Sequence, residues 1–265
     1  MSTVYVDAIG IVTPGIANWE KACEIFSEQA PYTPEAMPRY KPTLLPPNER
    51  RRATNLVRLA FEVCEQIEGL AHIDAEHLAT VFASCGGDYQ IIDQISRALT
   101  QEEKMVSPTQ FHNSVHNSAA GYWSIATGAK TPSTSLSAYD ASFANGLLEA
   151  IALVNSEHIP ALFACYDTQP PEPILSKRPI SQAFATAMAL YEQASEHSIA
   201  SLHIEIAGQN TAASKCALTD LETLRTSNPA ARCLPLLELL SAKKSGVVHL
   251  EDNAQNSFQI TVTPC

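Results

Sequence analysis

Three groups of residues have the types and spacing to do chemistry. His112 and His116 lie four positions apart, with Asn113 and Asn117 echoing them. On a helix that spacing aims two imidazoles at one point, as zinc enzymes require. A metal site needs a further ligand and no H-E-x-x-H pattern occurs, so no metal is expected and the histidines are read as packed, hydrogen-bonded groups. Cys85-Gly86-Gly87-Asp88 closes an apolar run, a position that suits a nucleophile or a phosphate loop. Two glycines without a following Lys-Ser/Thr point instead to a strand-to-helix turn. Asp140 and Ser142 precede a helix of small residues, and Ser142 has no G-x-S-x-G elbow around it. A carboxylate at Asp140 suits a helix N-terminus, where it is expected to cap backbone N–H groups. Asp140 and Cys85 are also the candidates for a stand-alone hydrolase or decarboxylase.

The elements that must position these residues alternate in type. Val4 to Val12 is an apolar, β-rich run ending at Thr13-Pro14-Gly15, and Asn18 to Gln29 is an amphipathic helix. Pro31 to Pro47 contains six prolines and is expected to run irregularly over the surface. Asn48 is placed to cap a helix in which Leu56, Leu59, Val63, Ile67 and Leu70 recur at helical spacing. Strands are expected over 78–83, 134–139, 159–166, 184–191 and 201–207, with helices over 89–99 and 141–154. This alternation implies an α/β fold, a mostly parallel sheet with helices on both faces. Residues 218–225 and 234–240 read as helices, and 247–250 and 258–262 as a terminal pair of strands. No internal repeat is visible.

The chain has 265 residues, 45% hydrophobic and 17% charged, an ordinary composition for a globular protein. Its seven cysteines are scattered singly, which fits neither a metal cluster nor a disulfide framework and agrees with a reducing cytosol. The N-terminal residues lack the pattern of a signal peptide, and no apolar stretch approaches the roughly 20 residues of a membrane helix. A soluble, cytoplasmic protein is expected. The formal net charge of −11 argues against nucleic acid as a partner. The one basic knot, Arg50-Arg51-Arg52 with Arg58, reads as the solvated first turn of a helix.

Residues 107–150, SPTQFHNSVHNSAAGYWSIATGAKTPSTSLSAYDASFANGLLEA, carry a more specific pattern. Ser107-Pro108, Asn117, Ala119-Ala120-Gly121, Ser124-Ile125, Gly128-Ala129-Lys130 and Pro132 fall in one ungapped register. This segment resembles the nucleophile region of the β-ketoacyl synthase family, of thiolase-like fold. There S-P-x-x and N-x-A-A-G-x-x-S-I-x-x-G-A-K-G-P lead into a strand ending T-A-C-A. In that register the nucleophilic cysteine is replaced by Asp140, which keeps the turn but is a poor acyl acceptor. The family's two histidine motifs, resembling E-x-H-G-T-x-T and K-x-x-x-G-H, are absent; His197, His203 and His249 match neither.

The resemblance implies a complete first half over residues 1–210 and a reduced C-terminal remnant over 211–265 packed on the same core. It is most similar to truncated chain length factors of bacterial aryl polyene and type II polyketide biosynthesis. It therefore implies a non-catalytic subunit, needing no cofactor, in a heterodimer with a β-ketoacyl synthase. An acyl carrier protein would be met only indirectly, through that partner. Ketosynthases dimerise through the strand before the nucleophile, here Thr134, Ser135, Leu136, Ser137, Ala138 and Tyr139. Phe111, His112, Val115 and His116 are the residues implied to line or plug the partner's acyl tunnel. A stand-alone acyl-binding homodimer is the alternative.

Overall fold

The N-terminal apolar run forms β1 (Ser2–Val12) and ends, as expected, at a tight turn. Helices α1 (Trp19–Phe26), α2 (Pro47–Arg52) and α3 (Asn55–Glu68) lead to β2 (Ala79–Ala83). Helices α4 (Tyr89–Leu99), α5 (Pro108–Asn113) and α6 (Ser118–Thr127) connect it to β3 (Ser133–Leu136). Then come α7 (Ser142–Glu157), β4 (Ala161–Asp167), β5 (Phe184–Tyr191) and β6 (Ala200–Ile206). The chain closes with α8 (Thr219–Ser227), α9 (Leu234–Ser241), β7 (Gly246–Glu251) and β8 (Ser257–Pro264). This computed structural model describes residues 2–70, 72–208, 211–252 and 257–265. The expected division at residue 210 therefore lies outside the described residues. No helix among the described residues is long and apolar enough to cross a membrane.

Among the described residues all eight strands belong to one sheet, in the order β3-β2-β4-β5-β1-β6-β8-β7. Only β3, β2 and β4 run parallel; β5, β1, β6, β8 and β7 each join antiparallel. The α/β class holds, but the expectation of a mostly parallel sheet is corrected. Parallel neighbours need a long crossover, which α4–α6 and α7 supply. The connection over 168–183 contains no helix, and β5 turns back antiparallel on β4. β6 runs in the same direction as β5 but pairs antiparallel with β1, which lies between them.

Alternate residues of each strand enter opposite cores. Val81, Ala83 and Phe163 pack under α7 with α1, α8 and α9, whereas Phe82, Leu162 and Tyr166 pack under α3 and α6. A bulge between Val6 and Ala8 shifts β1 by one residue, so Val4, Val6, Ile9 and Ile11 all face the α7 side. Two glycines let the helices approach. A Cβ at Gly10 would stand 2.4 Å from the Val63 carbonyl oxygen of α3. One at Gly146 of α7 would stand 2.6 Å from the Phe163 ring and 2.9 Å from Ala83 Cβ.

The proline-rich excursion is tied to α3 by charged side chains. Glu65 accepts hydrogen bonds from Tyr40 Oη, from Thr43 N and Oγ1, and from Leu44 N. Arg58 is buried and donates to the carbonyls of Tyr40, Arg50 and Ala53, while Arg50 donates to those of Thr43 and Leu45. The reading of this basic group as a solvated turn is thus wrong for Arg50 and Arg58. Asn48 does not cap either: Pro47 starts α2 around it, and Thr54 caps α3 through Val57 N. Because hydrogen bonds to charged groups contribute about 1.5–3 kcal/mol each and are not additive, Arg58→Ala is expected to cost about 2–4 kcal/mol. Denaturant unfolding measures that loss, and limited proteolysis is expected to move to residues 31–46.

Candidate functional site

Strand β3 leaves the sheet at Leu136, and the chain then curls into α7. Ser137 Oγ donates to the Cys85 carbonyl (2.8 Å), Ala138 N donates to Ser142 Oγ (3.0 Å), and Ser142 Oγ donates to the Tyr139 carbonyl (2.7 Å). Tyr139 has φ +55°, in the left-handed region that a bulky side chain enters only under constraint. Tyr139–Ala141 form one 3-10 turn before α7. The strand expected over Thr134–Tyr139 is therefore shorter: the bond from Ala138 N to Ser142 and the left-handed Tyr139 bend the chain out of extended geometry.

Asp140 does not cap α7. Its Oδ1 lies 2.5 Å from an Arg178 terminal nitrogen and its Oδ2 3.7 Å from one of Arg232. The carboxylate faces the two guanidinium groups, whose full positive charges attract it, and Ser142 takes over the turn. Arg178 also stacks 3.7 Å above the Tyr139 ring, and Arg232 pairs with Glu251 at 2.6 Å. Burial, the largest single influence, lowers the Arg178 pKa, but Asp140 and Cys85 together outweigh it and the net shift is upward. Arg178 and Arg232 were missed from sequence, since neither sits in a motif.

Behind the turn lies a buried polar group at the ends of β2 and β4. Asp167 is 1% exposed and accepts from Ser84 Oγ and Cys85 N, both at 2.9 Å. Burial pushes its carboxyl up to about 6. A carboxylate ending the apolar run Ala161–Asp167 was the available sequence signal. Burial, with Asp167 beside it, pushes the Cys85 thiol up to about 12; its Sγ faces Tyr89 Oη at 3.6 Å. A buried thiol that stays protonated at neutral pH is no nucleophile. Gly86 and Gly87 serve the turn, and Asp88 caps α4 through Ile91 N.

Helix α5 ends at Asn113, so His112 and His116 do not share a helix face. His112 packs edge-on against Tyr122, whereas His116 Nε2 donates inward to the Ser84 carbonyl at 3.1 Å. Among the described residues no three His, Cys, Asp or Glu side chains gather as metal ligands do. Phe111, His112 and Val115, with Tyr122 and Ile125, line an open concavity of about 460 Å³ from which His116 is absent. Phe111, Val115 and Ile125 are 68%, 51% and 57% exposed, and they gather on this one concavity rather than lying scattered. The late histidines are engaged separately: His197 stacks on His72, His203 meets Thr3 Oγ1, and His249 meets Gln259 Oε1.

Asp167 supplies a pH test. Its folded pKa lies above the unfolded value of 3.8, so its contribution to stability is full below pH 3.8 and lost as pH rises through about 6. The shift corresponds to roughly 3 kcal/mol at most. Asp167→Asn is expected to gain stability relative to wild type on going from pH 4 to pH 7.5. Parallel pH profiles of the two proteins in denaturant melts would show the carboxyl to be unshifted.

Comparison with known proteins agrees with this geometry. Residues 19–256 match the family model described as β-ketoacyl synthase, N-terminal domain. No curated protein matches the sequence closely enough to count as a relative. One similar solved structure is the ketosynthase ApeO in complex with its chain length factor ApeC from Xenorhabdus doucetiae. It shares 24% identity at TM-score 0.73, covering 98% of this chain and 100% of the matched one. The ishigamide ketosynthase/chain length factor shares 14% identity at TM-score 0.76, covering 100% and 99% of the two chains. AntDE:AntF, a type II polyketide synthase acyl-carrier protein in complex with its ketosynthase, shares 12% at TM-score 0.77, again covering 100% and 99%. These likenesses establish the thiolase-like fold. With the match spanning nearly the whole chain, the protein belongs to the β-ketoacyl synthase N-terminal domain family.

Proposed function

We propose that this chain is a non-catalytic, chain-length-factor-like subunit that pairs with a β-ketoacyl synthase and shapes its acyl tunnel during polyene, polyketide or fatty-acid-type elongation. The observation that carries the reading is the strand–turn–helix in which a carboxylate pinned by two arginines stands in the register of the family's cysteine. Acyl transfer needs a nucleophile that survives as a thioester. Asp140 would give only a mixed anhydride open to water, and Cys85 is buried and protonated. In this reading residues 1–210 correspond to the synthase's first half and 211–265 to a reduced second half.

The surface around the turn suits a partner. β3 is the terminal strand of the sheet, and Phe111, Val115 and Ile125 expose apolar area beyond it. Terminal strands and apolar patches are features that proteins cover by association. Of the tunnel candidates, Phe111, His112 and Val115 share the exposed concavity and are the ones that would meet the partner's acyl chain. His116 acts from inside by fixing the Ser84 carbonyl. Similar structures include ketosynthase/chain length factor complexes, which supports the pairing. An acidic acyl carrier protein would dock on the synthase, since this chain carries a net charge of −11.

Co-expression with a neighbouring ketosynthase is expected to yield a one-to-one heterodimer by size exclusion with mass analysis. Phe111→Ala in that complex is expected to lengthen the products seen by mass spectrometry, and Val115→Trp to shorten them. A chain that stays a homodimer while the synthase works normally alone would sink the reading and favour the stand-alone acyl-binding alternative.

A further inference from the structure

A terminal strand of four residues has little of its own to hold it. β3 pairs only with β2, through Ser133 to Leu136, and then enters a turn whose second residue of the 3-10 segment is Asp140. The groups that grip this turn come from distant parts of the chain. Arg178, from the irregular connection after β4, approaches with a stack on Tyr139 and an ion pair to Asp140. Arg232, from the 3-10 segment Ala230–Cys233, reaches the other oxygen of Asp140. Glu251, at the end of β7, holds Arg232 at 2.6 Å. Asn145, in the first turn of α7, donates both to the Ala141 carbonyl (3.1 Å) and to Asp252 Oδ1 (3.2 Å). The charges alternate in sign along Arg178, Asp140, Arg232 and Glu251.

We infer that the C-terminal segment 211–265 serves as the anchor of the turn, with Arg232 as the positioning residue that presents the β3 edge for pairing. An isolated surface ion pair contributes little, but an alternating network at half-buried groups constrains geometry, because removing one member leaves its neighbours uncompensated. The arginines are 13% and 20% exposed against 39% for Asp140, so the cationic side is the buried, fixed one. The frame around the carboxylate is shared by Arg178, from the connection after β4, and Arg232, from the C-terminal segment. This gives residues 211–265 a role that needs no catalytic histidine. Its use in partner binding rests on the reading of the chain as a synthase partner, whereas the anchoring itself does not.

Amide hydrogen exchange on the whole chain separates the two. In Arg232→Gln and in Asp140→Asn, exchange over residues 134–142 is expected to quicken about tenfold while β4 and β5 keep wild-type protection. Arg232→Lys, which keeps the charge, is expected to recover part of the protection. Affinity for the purified synthase is expected to fall about tenfold in the same two variants. Unchanged exchange at 134–142 in Arg232→Gln, or equal acceleration across the whole chain, overturns the anchoring. Local loosening with undiminished affinity overturns the claim that the anchor presents the edge. If Arg232→Gln does not fold, Glu251→Gln, which releases Arg232 from its exposed partner in β7 and leaves the Arg178 pair intact, decides by the same criteria. A wild-type chain that binds no synthase removes the partner reading alone, because the exchange result stands without it.

Discussion

The approach of α7 to the sheet at Gly146 is the contact on which the rest of this structure depends. No side chain fits there: Phe163 and Ala83 fill the space a Cβ would need. That contact sets the depth of the helix, and with it the position of its first turn. The turn's position in turn fixes where β3 ends and where Asp140 stands. A larger residue at 146 would lift the helix and carry the whole turn outward, so geometry at a buried glycine governs chemistry at an exposed carboxylate.

Around that fixed turn the polar groups divide by depth. Ser137 and Ser142 satisfy the backbone, which frees Asp140 from capping duty. Arg178 and Arg232 then draw the carboxylate toward them. Behind them Asp167 and Cys85 lie in the core, where desolvation favours their neutral forms. The place that could hold a reactive group is therefore filled by an ion-paired carboxylate in front and a protonated thiol behind. The strand–turn–helix is built around these two groups, and the outer face carries a terminal strand with Phe111, Val115 and Ile125 exposed.

Much of this was legible from residues near one another in sequence. Apolar runs marked β2, β4 and β5, helical spacing marked α3, and the register over 107–150 located the turn at Asp140. The pairing sense of the later strands was not legible, because it depends on which strand each one meets in the sheet: β6 runs in the direction of β5 yet pairs antiparallel with β1 between them. The cap expected at Asp140 failed for a related reason. A carboxylate before a helix is ambiguous until one knows which cations approach it, and Arg178 and Arg232 lie 38 and 92 positions downstream. The pairing of His112 with His116 assumed a continuous helix, which ends at Asn113.

The sequence by itself determined the α/β class, the small-residue helix and the family likeness over residues 107–150. These depend on local periodicity and on residue identity, which the chain carries regardless of how it folds. Only the tertiary structure decided that Asp140 is an ion-pair acceptor, that Cys85 is a buried thiol and that Phe111, His112 and Val115 share a surface from which His116 turns away. Those outcomes depend on desolvation and on charges meeting across long stretches of chain, and both arise only when the sheet and its helices have closed.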